Sequence, residues 1–112
     1  TYIDDIVEGI ERLLPNPPVA GEKAAHQVYN IGNNRPVKLM VFIETLEKCL
    51  SRSLGKEVHF EKVFEPIKPG DVPATYASTE RLEQAVGFKP KTSIEEGLQK
   101  FTDWYVEYYK VK

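Results

Sequence analysis

Apolar residues recur at steps of three and four in four stretches of the chain, the spacing of one face of an α-helix. Ile6, Ile10, Leu13 and Leu14 form the first stretch. Asp5-Ile6-Val7-Glu8 offers an acidic N-cap with a glutamate three residues on, so a helix is predicted to start at Asp5, and Pro15, Pro17 and Pro18 end it. Thr1-Tyr2-Ile3 ahead of it reads as the tail of a strand. Leu39, Phe42, Ile43, Leu46 and Leu50 make the clearest amphipathic helix, with Pro36 suited to its first turn, Lys48 and Arg52 suited to the dipole at its end, and Gly55 as its cap. Ser78 or Thr79 caps a short helix carrying Leu82, Ala85 and Val86, which Gly87-Phe88 and Pro90 close. Ser93-Ile94-Glu95-Glu96 is a second capping box, and Ile94, Leu98, Phe101, Tyr105 and Tyr108 continue one stripe behind it. Two stretches alternate as strands do: His26 to Ile31, closed by Gly32-Asn33-Asn34, and Val58, Phe60 and Val63-Phe64 with one wet face. Pro15 to Ala25 and the Pro/Gly-rich Glu65 to Ala77 read as loops, the second of a length that is usually functional when ordered. The predicted class is α/β, with four helices and two or three short strands.

Composition narrows the functional classes. In 112 residues, 41% are apolar and 11% aromatic, enough for a modest core in one domain and not the composition of a disordered chain. Fifteen basic against seventeen acidic residues give a net charge of −2 with no block of like charge, which argues against a nucleic-acid or anionic-membrane partner. Cys49 has no second cysteine to pair with and sits in a helical stretch, as expected of a small buried residue in a reducing compartment. His26 and His59 are not at ligand spacing for a metal. No apolar run nears the length of a membrane span, and no signal peptide is read at the amino terminus, so the expected location is the cytoplasm.

Residue chemistry alone offers no catalytic constellation: no Gly-rich phosphate loop after a strand, no nucleophile with a base and a third member, no paired histidines on one helix face. Trp104, Tyr105, Tyr108 and Tyr109 read as packing at helical spacing more than as a stacking platform. The exception is the loop Lys68-Pro69-Gly70-Asp71-Val72-Pro73-Ala74-Thr75-Tyr76. A cation followed by Pro-Gly turns the backbone tightly and brings an ammonium and a carboxylate to one side, an arrangement that suits a nucleotide diphosphate, with Lys68 on phosphate and Asp71 on a sugar hydroxyl. An ordinary Pro-Gly turn capped by Asp71 accounts for the same residues.

Tyr2-Ile3-Asp4-Asp5-Ile6, Val28-Tyr29-Asn30-Ile31-Gly32-Asn33, Pro69-Gly70-Asp71-Val72-Pro73-Ala74-Thr75-Tyr76-Ala77, Gly87-Phe88-Lys89-Pro90, Ser93-Ile94-Glu95-Glu96-Gly97-Leu98 and Trp104-Tyr105 follow one another in a familiar order. In that order the chain resembles the carboxy-terminal third of an NAD-dependent nucleotide-sugar epimerase or dehydratase of the extended short-chain dehydrogenase type, and within it most of all a UDP-glucuronate 4-epimerase of capsule or lipopolysaccharide synthesis. The resemblance covers essentially the whole chain. It implies a carboxy-terminal UDP-sugar-binding portion, residues 1–112, with the last elements of a Rossmann-type domain, cut from a longer homodimeric enzyme. The Gly-rich NAD fingerprint and the Tyr-x-x-x-Lys pair with its Ser or Thr partner are expected outside these residues, so that the chain alone is inert and binds no NAD.

Position by position, the resemblance puts Lys68 where relatives have an arginine on the UDP phosphates, Asp71 on the nucleotide ribose and Thr75 beside the sugar. Lysine lacks the bidentate fork of arginine, and Ser78 stands where an aspartate is common. A UDP-glucuronate decarboxylase, a dTDP-glucose dehydratase or a small helical binding module without enzymatic parent are the competing readings. For a lobe separated from its partner domain, residues of the first two helices such as Ile10 and Phe42 are expected to lack partners.

Overall fold

The computed structural model describes residues 1–19, 21 and 25–112. Among these residues four helices follow one another: α1 (Ile3–Leu13), α2 (Leu39–Leu54), α3 (Glu80–Val86) and α4 (Ile94–Tyr109). Among the described residues there is no strand, so the chain is helical and the α/β expectation is corrected. A strand needs a neighbour for its ladder, and at Val58 and Phe60 the backbone is met by side chains instead. Val58 N–H donates to Ser51 Oγ at 2.9 Å and Phe60 N–H to Glu47 Oε1 at 2.7 Å. Around the other candidate, Asn30 donates to the Ser78 carbonyl at 3.2 Å and Asn33 to the Thr92 carbonyl at 3.3 Å. The loop read from Pro15 to Ala25 falls in part outside the described residues.

The contacts divide the chain into two compact units. The first comprises Thr1–Pro36 and Tyr76–Thr92, and its helices α1 and α3 pack together. Leu82 and Phe88 are its buried apolar side chains. Gly9 is what lets α1 close on its neighbours, because a Cβ there would stand 3.1 Å from Ile31 Cδ1 and 3.5 Å from Phe88 Cε1. Arg12 lies over the Phe88 ring, 5.2 Å from its centre. The helix starts at Ile3 with Tyr2 as N-cap and no side-chain cap, so neither a strand tail at Thr1-Tyr2-Ile3 nor a cap at Asp5 is present. Asp5 is buried inside the first turn, where its carboxylate accepts the Thr92 N–H at 3.1 Å. The expected outward face is there: Ile3, Val7, Ile10 and Leu14 are exposed.

The second unit comprises Val37–Thr75 and Ser93–Lys112 and is built on α2 against α4. Cys49, Leu98 and Thr102 are buried between them. Burial pushes the Cys49 thiol above its usual range, and Sγ donates to the Glu95 carbonyl at 3.7 Å. A polar network crosses the same contact: Ser53 Oγ lies 2.9 Å from Thr102 Oγ1 and 2.7 Å from Asp103 Oδ1, and the Gln99 amide donates to Ser53 Oγ at 3.0 Å. α2 begins at Leu39, later than Pro36 suggested, and ends as predicted on Gly55 at φ 65°. Phe42 is exposed at its outer face. Ser93 caps α4 by accepting the Glu96 N–H at 3.1 Å, while the Glu96 carboxylate pairs with Lys100 at 3.0 Å. The α4 stripe enters the core only as far as Leu98; Phe101, Tyr105 and Tyr108 face outward, and Thr102 takes the inward place.

Candidate functional site

The loop singled out in the sequence is held at its base by α2. One oxygen of Glu47 accepts both the Phe60 N–H and the Lys62 ammonium, each at 2.7 Å, and Ser51, one turn further along the helix, takes the Val58 N–H. The Lys62 hydrogen bond, with the Phe60 N–H second, holds the Glu47 carboxyl below its usual range. Neither Glu47 nor Ser51 is singled out by sequence reasoning. Their signal is a polar pair at i, i+4 on a helix whose other flank is apolar.

Beyond Lys62 the chain runs without regular structure to the turn at Lys68–Asp71. Gly70 takes φ 97°, a conformation that side-chain-bearing residues rarely adopt, and the turn closes twice: Asp71 N–H donates to the Lys68 carbonyl at 3.0 Å and Lys68 N–H to Asp71 Oδ2 at 3.1 Å. The structure thus joins Lys68 to Asp71, but through the backbone of Lys68. Its ammonium is turned to Glu65, 2.6 Å away. Thr75 lies exposed four residues after Asp71. Lys68 and Asp71 are exposed as well. The turn is an exposed polar surface with one cation flanked by two carboxylates, and it brings together no nucleophile with a base. Shallow grooves elsewhere, one along α1 lined by Asp4, Glu8, Glu11 and Arg12 and one beside α2 lined by Glu44, Glu47, Glu57 and His59, are not lined by Lys68, Asp71 or Thr75. His59 Nε2 meets the Glu57 carboxylate at 3.0 Å, both exposed.

The chain does contain one Tyr-x-x-x-Lys spacing, Tyr108 to Lys112, contrary to the expectation from the sequence. It is not a pair on one helix face. α4 ends at Tyr109 and Lys110 turns left-handed at φ 52°, which breaks the i, i+4 register between them.

No family profile matches the chain. It is similar along nearly its whole length to individual proteins, several of them named UDP-glucuronate 4-epimerases. Protein CapI of Staphylococcus aureus is 47% identical across 98% of this chain and 35% of its own length. A probable UDP-glucuronate 4-epimerase of Rhizobium meliloti is 43% identical across 98% of the chain and 34% of its own, and UDP-glucuronate 4-epimerase 1 of Arabidopsis thaliana is 37% identical across 97% and 26%. The chain therefore spans about a quarter to a third of the length of these relatives, as a carboxy-terminal part of an epimerase or dehydratase does.

Proposed function

We propose that the chain is the carboxy-terminal, UDP-sugar-binding part of a cytoplasmic, homodimeric UDP-glucuronate 4-epimerase, interconverting UDP-glucuronate and UDP-galacturonate. The observation that carries this reading is the 43% identity, over 98% of the chain, to a protein named a probable UDP-glucuronate 4-epimerase. NAD supplies hydride chemistry at C4 of the sugar in such an enzyme. The residues present do not fit NAD. The helices start after Tyr2, Lys38, Thr79 and Ser93, and none of these starts is a Gly-rich turn that would admit a pyrophosphate. No step through the cofactor is assigned to this chain.

Its own contribution is recognition. Lys68 meets the diphosphate, Asp71 a ribose hydroxyl and Thr75 the hexose. The Lys68–Glu65 pair is exposed on both sides, and such pairs are worth about 0–1 kcal/mol, so a diphosphate displaces Glu65 at small cost. Amide chemical shifts followed during UDP titration test this, because they detect weak binding. Shifts are expected at residues 65–76. Lys68→Ala should weaken affinity about ten- to a hundredfold, the range of about 1.5–3 kcal/mol for a charge-assisted hydrogen bond. Asp71→Ala should do the same and also lower the melting temperature, since it removes the bond to the Lys68 N–H. Thr75→Ala should change the preference among UDP-sugars more than the affinity for UDP. UDP shifts confined to other regions, or affinity unchanged in both charge variants, would remove the site. Calorimetry with NAD is expected to show no binding; a micromolar constant, about 8 kcal/mol, would place the cofactor site within this chain.

A further inference from the structure

The segment that carries Lys68, Asp71 and Thr75 is held in its unit by its stem. Among the described residues, the hydrogen bonds and ion pairs of residues 63–75 join that segment only to itself: Asp71 N–H to the Lys68 carbonyl, Lys68 N–H to Asp71 Oδ2, and the Lys68 ammonium to Glu65. Val63, Phe64 and Ile67 are 77, 79 and 69% exposed, so apolar packing does not fix it either. The stem, residues 58–62, is caught by α2 at every second residue: Val58 N–H by Ser51 Oγ at 2.9 Å, then Phe60 N–H and the Lys62 ammonium by Glu47 Oε1, each at 2.7 Å. Unlike Lys68–Glu65, the Lys62–Glu47 pair is largely withdrawn from water, with 30 and 12% of the two side chains exposed. The Ser51 hydroxyl donates to the Glu47 carbonyl at 2.7 Å, which leaves its oxygen turned to Val58.

We propose that Glu47, with Ser51 beside it, is a positioning residue for UDP recognition: it touches no ligand and sets where the Lys68–Asp71 turn is presented. The proposal rests on the assignment of Lys68, Asp71 and Thr75 to the UDP-sugar. The turn takes its shape from Gly70 and Asp71 and needs no help there. Its place depends on the stem. With the stem held, six residues run free from Lys62 to Lys68; with it released, twelve run free from Lys56, whose N–H is still bonded to the Ser51 carbonyl. Effective concentration falls roughly as the −3/2 power of tether length, so doubling the tether lowers it about threefold. A ligand that needs the three residues at one place then meets that smaller competent fraction, and its apparent dissociation constant rises in proportion. Charge alone predicts the opposite sign. Removing a carboxylate from this unit favours an anionic diphosphate, so a fall in affinity comes from lost position.

UDP titrations of the 112-residue chain, followed by amide shifts below the unfolding transition, test this in four variants. Glu47→Ala with Ser51→Ala, which releases the stem, should weaken UDP affinity about threefold or more. Glu47→Gln removes the same charge but keeps an acceptor for the Phe60 N–H, so the tether lengthens by only two residues and the loss should not exceed about 1.5-fold. Ser93→Ala lowers the stability of the same unit away from the stem, and should leave UDP affinity unchanged. Lys68→Ala reports on the site itself. Affinity retained in the double variant while Lys68→Ala loses it would overturn the positioning role and leave the site standing. A loss in Glu47→Gln as large as in the double variant would assign the effect to charge, and an equal loss in Ser93→Ala would assign it to general stability; either overturns the proposal. Unchanged affinity in Lys68→Ala and the double variant alike would remove site and proposal together.

Discussion

Glu47 and Asp5 are both acceptors of backbone N–H groups, yet they differ in what their loss should do. Glu47 also accepts the Lys62 ammonium, and its carboxyl is held below the usual 4.5 in the folded chain. A carboxyl with a depressed folded pKa adds stability that is present above the unfolded pKa and is lost as pH falls through the folded value. Lys62→Met should therefore lower the urea midpoint at neutral pH and flatten the rise of stability with pH between about pH 3 and 6. Urea titrations across that interval check it; an unchanged slope would mean that the Lys62 ammonium is not what holds the Glu47 carboxyl down. Asp5 is buried and supplies the acceptor for Thr92 N–H. Asp5→Ala should cost about 1–3 kcal/mol by leaving that donor unsatisfied, and Asp5→Asn, which keeps a carbonyl acceptor, distinctly less. The sequence reading made Asp5 a cap because the local pattern Asp-x-x-Glu is satisfied by neighbours alone. The residue that claims its carboxylate is 87 positions away, and no local pattern carries that information.

At the scale of elements, α2 and α4 were legible because each is long enough for periodicity to accumulate and ends in a residue suited to the left-handed turn or begins in one suited to capping. Ser93→Ala should accordingly cost about 1 kcal/mol, within about 0.5–2, measured as a shift in the urea midpoint; a change near zero would mean the cap is idle. The strand candidates failed for a different reason. Alternation at Val28, Tyr29 and Ile31, or at Val58 and Phe60, states which face is apolar but not whether a neighbouring strand exists to complete a ladder. In this chain Ser51 and Glu47 take the backbone donors at Val58 and Phe60. The turn at Lys68–Asp71 was legible as a Pro-Gly turn with an aspartate closing it. The partner of its ammonium, Glu65, was not, since an i, i+3 pair inside a loop has no fixed geometry in sequence.

Among the described residues little apolar material is buried. Leu82 and Phe88 close one unit, Cys49 and Leu98 the other, while Ile3, Leu14, Leu39, Phe64 and Ile67 stand in solvent. Cores of units well below about 70 residues rarely supply more than about 3–5 kcal/mol. Divided by a urea slope of about 1–1.5 kcal/mol per M for a chain of this size, that predicts an unfolding midpoint no higher than about 2–5 M. Tyr108→Glu should leave that midpoint where it was, since the side chain is exposed. A midpoint above about 5 M would mean that these few buried side chains understate the packing inside each unit.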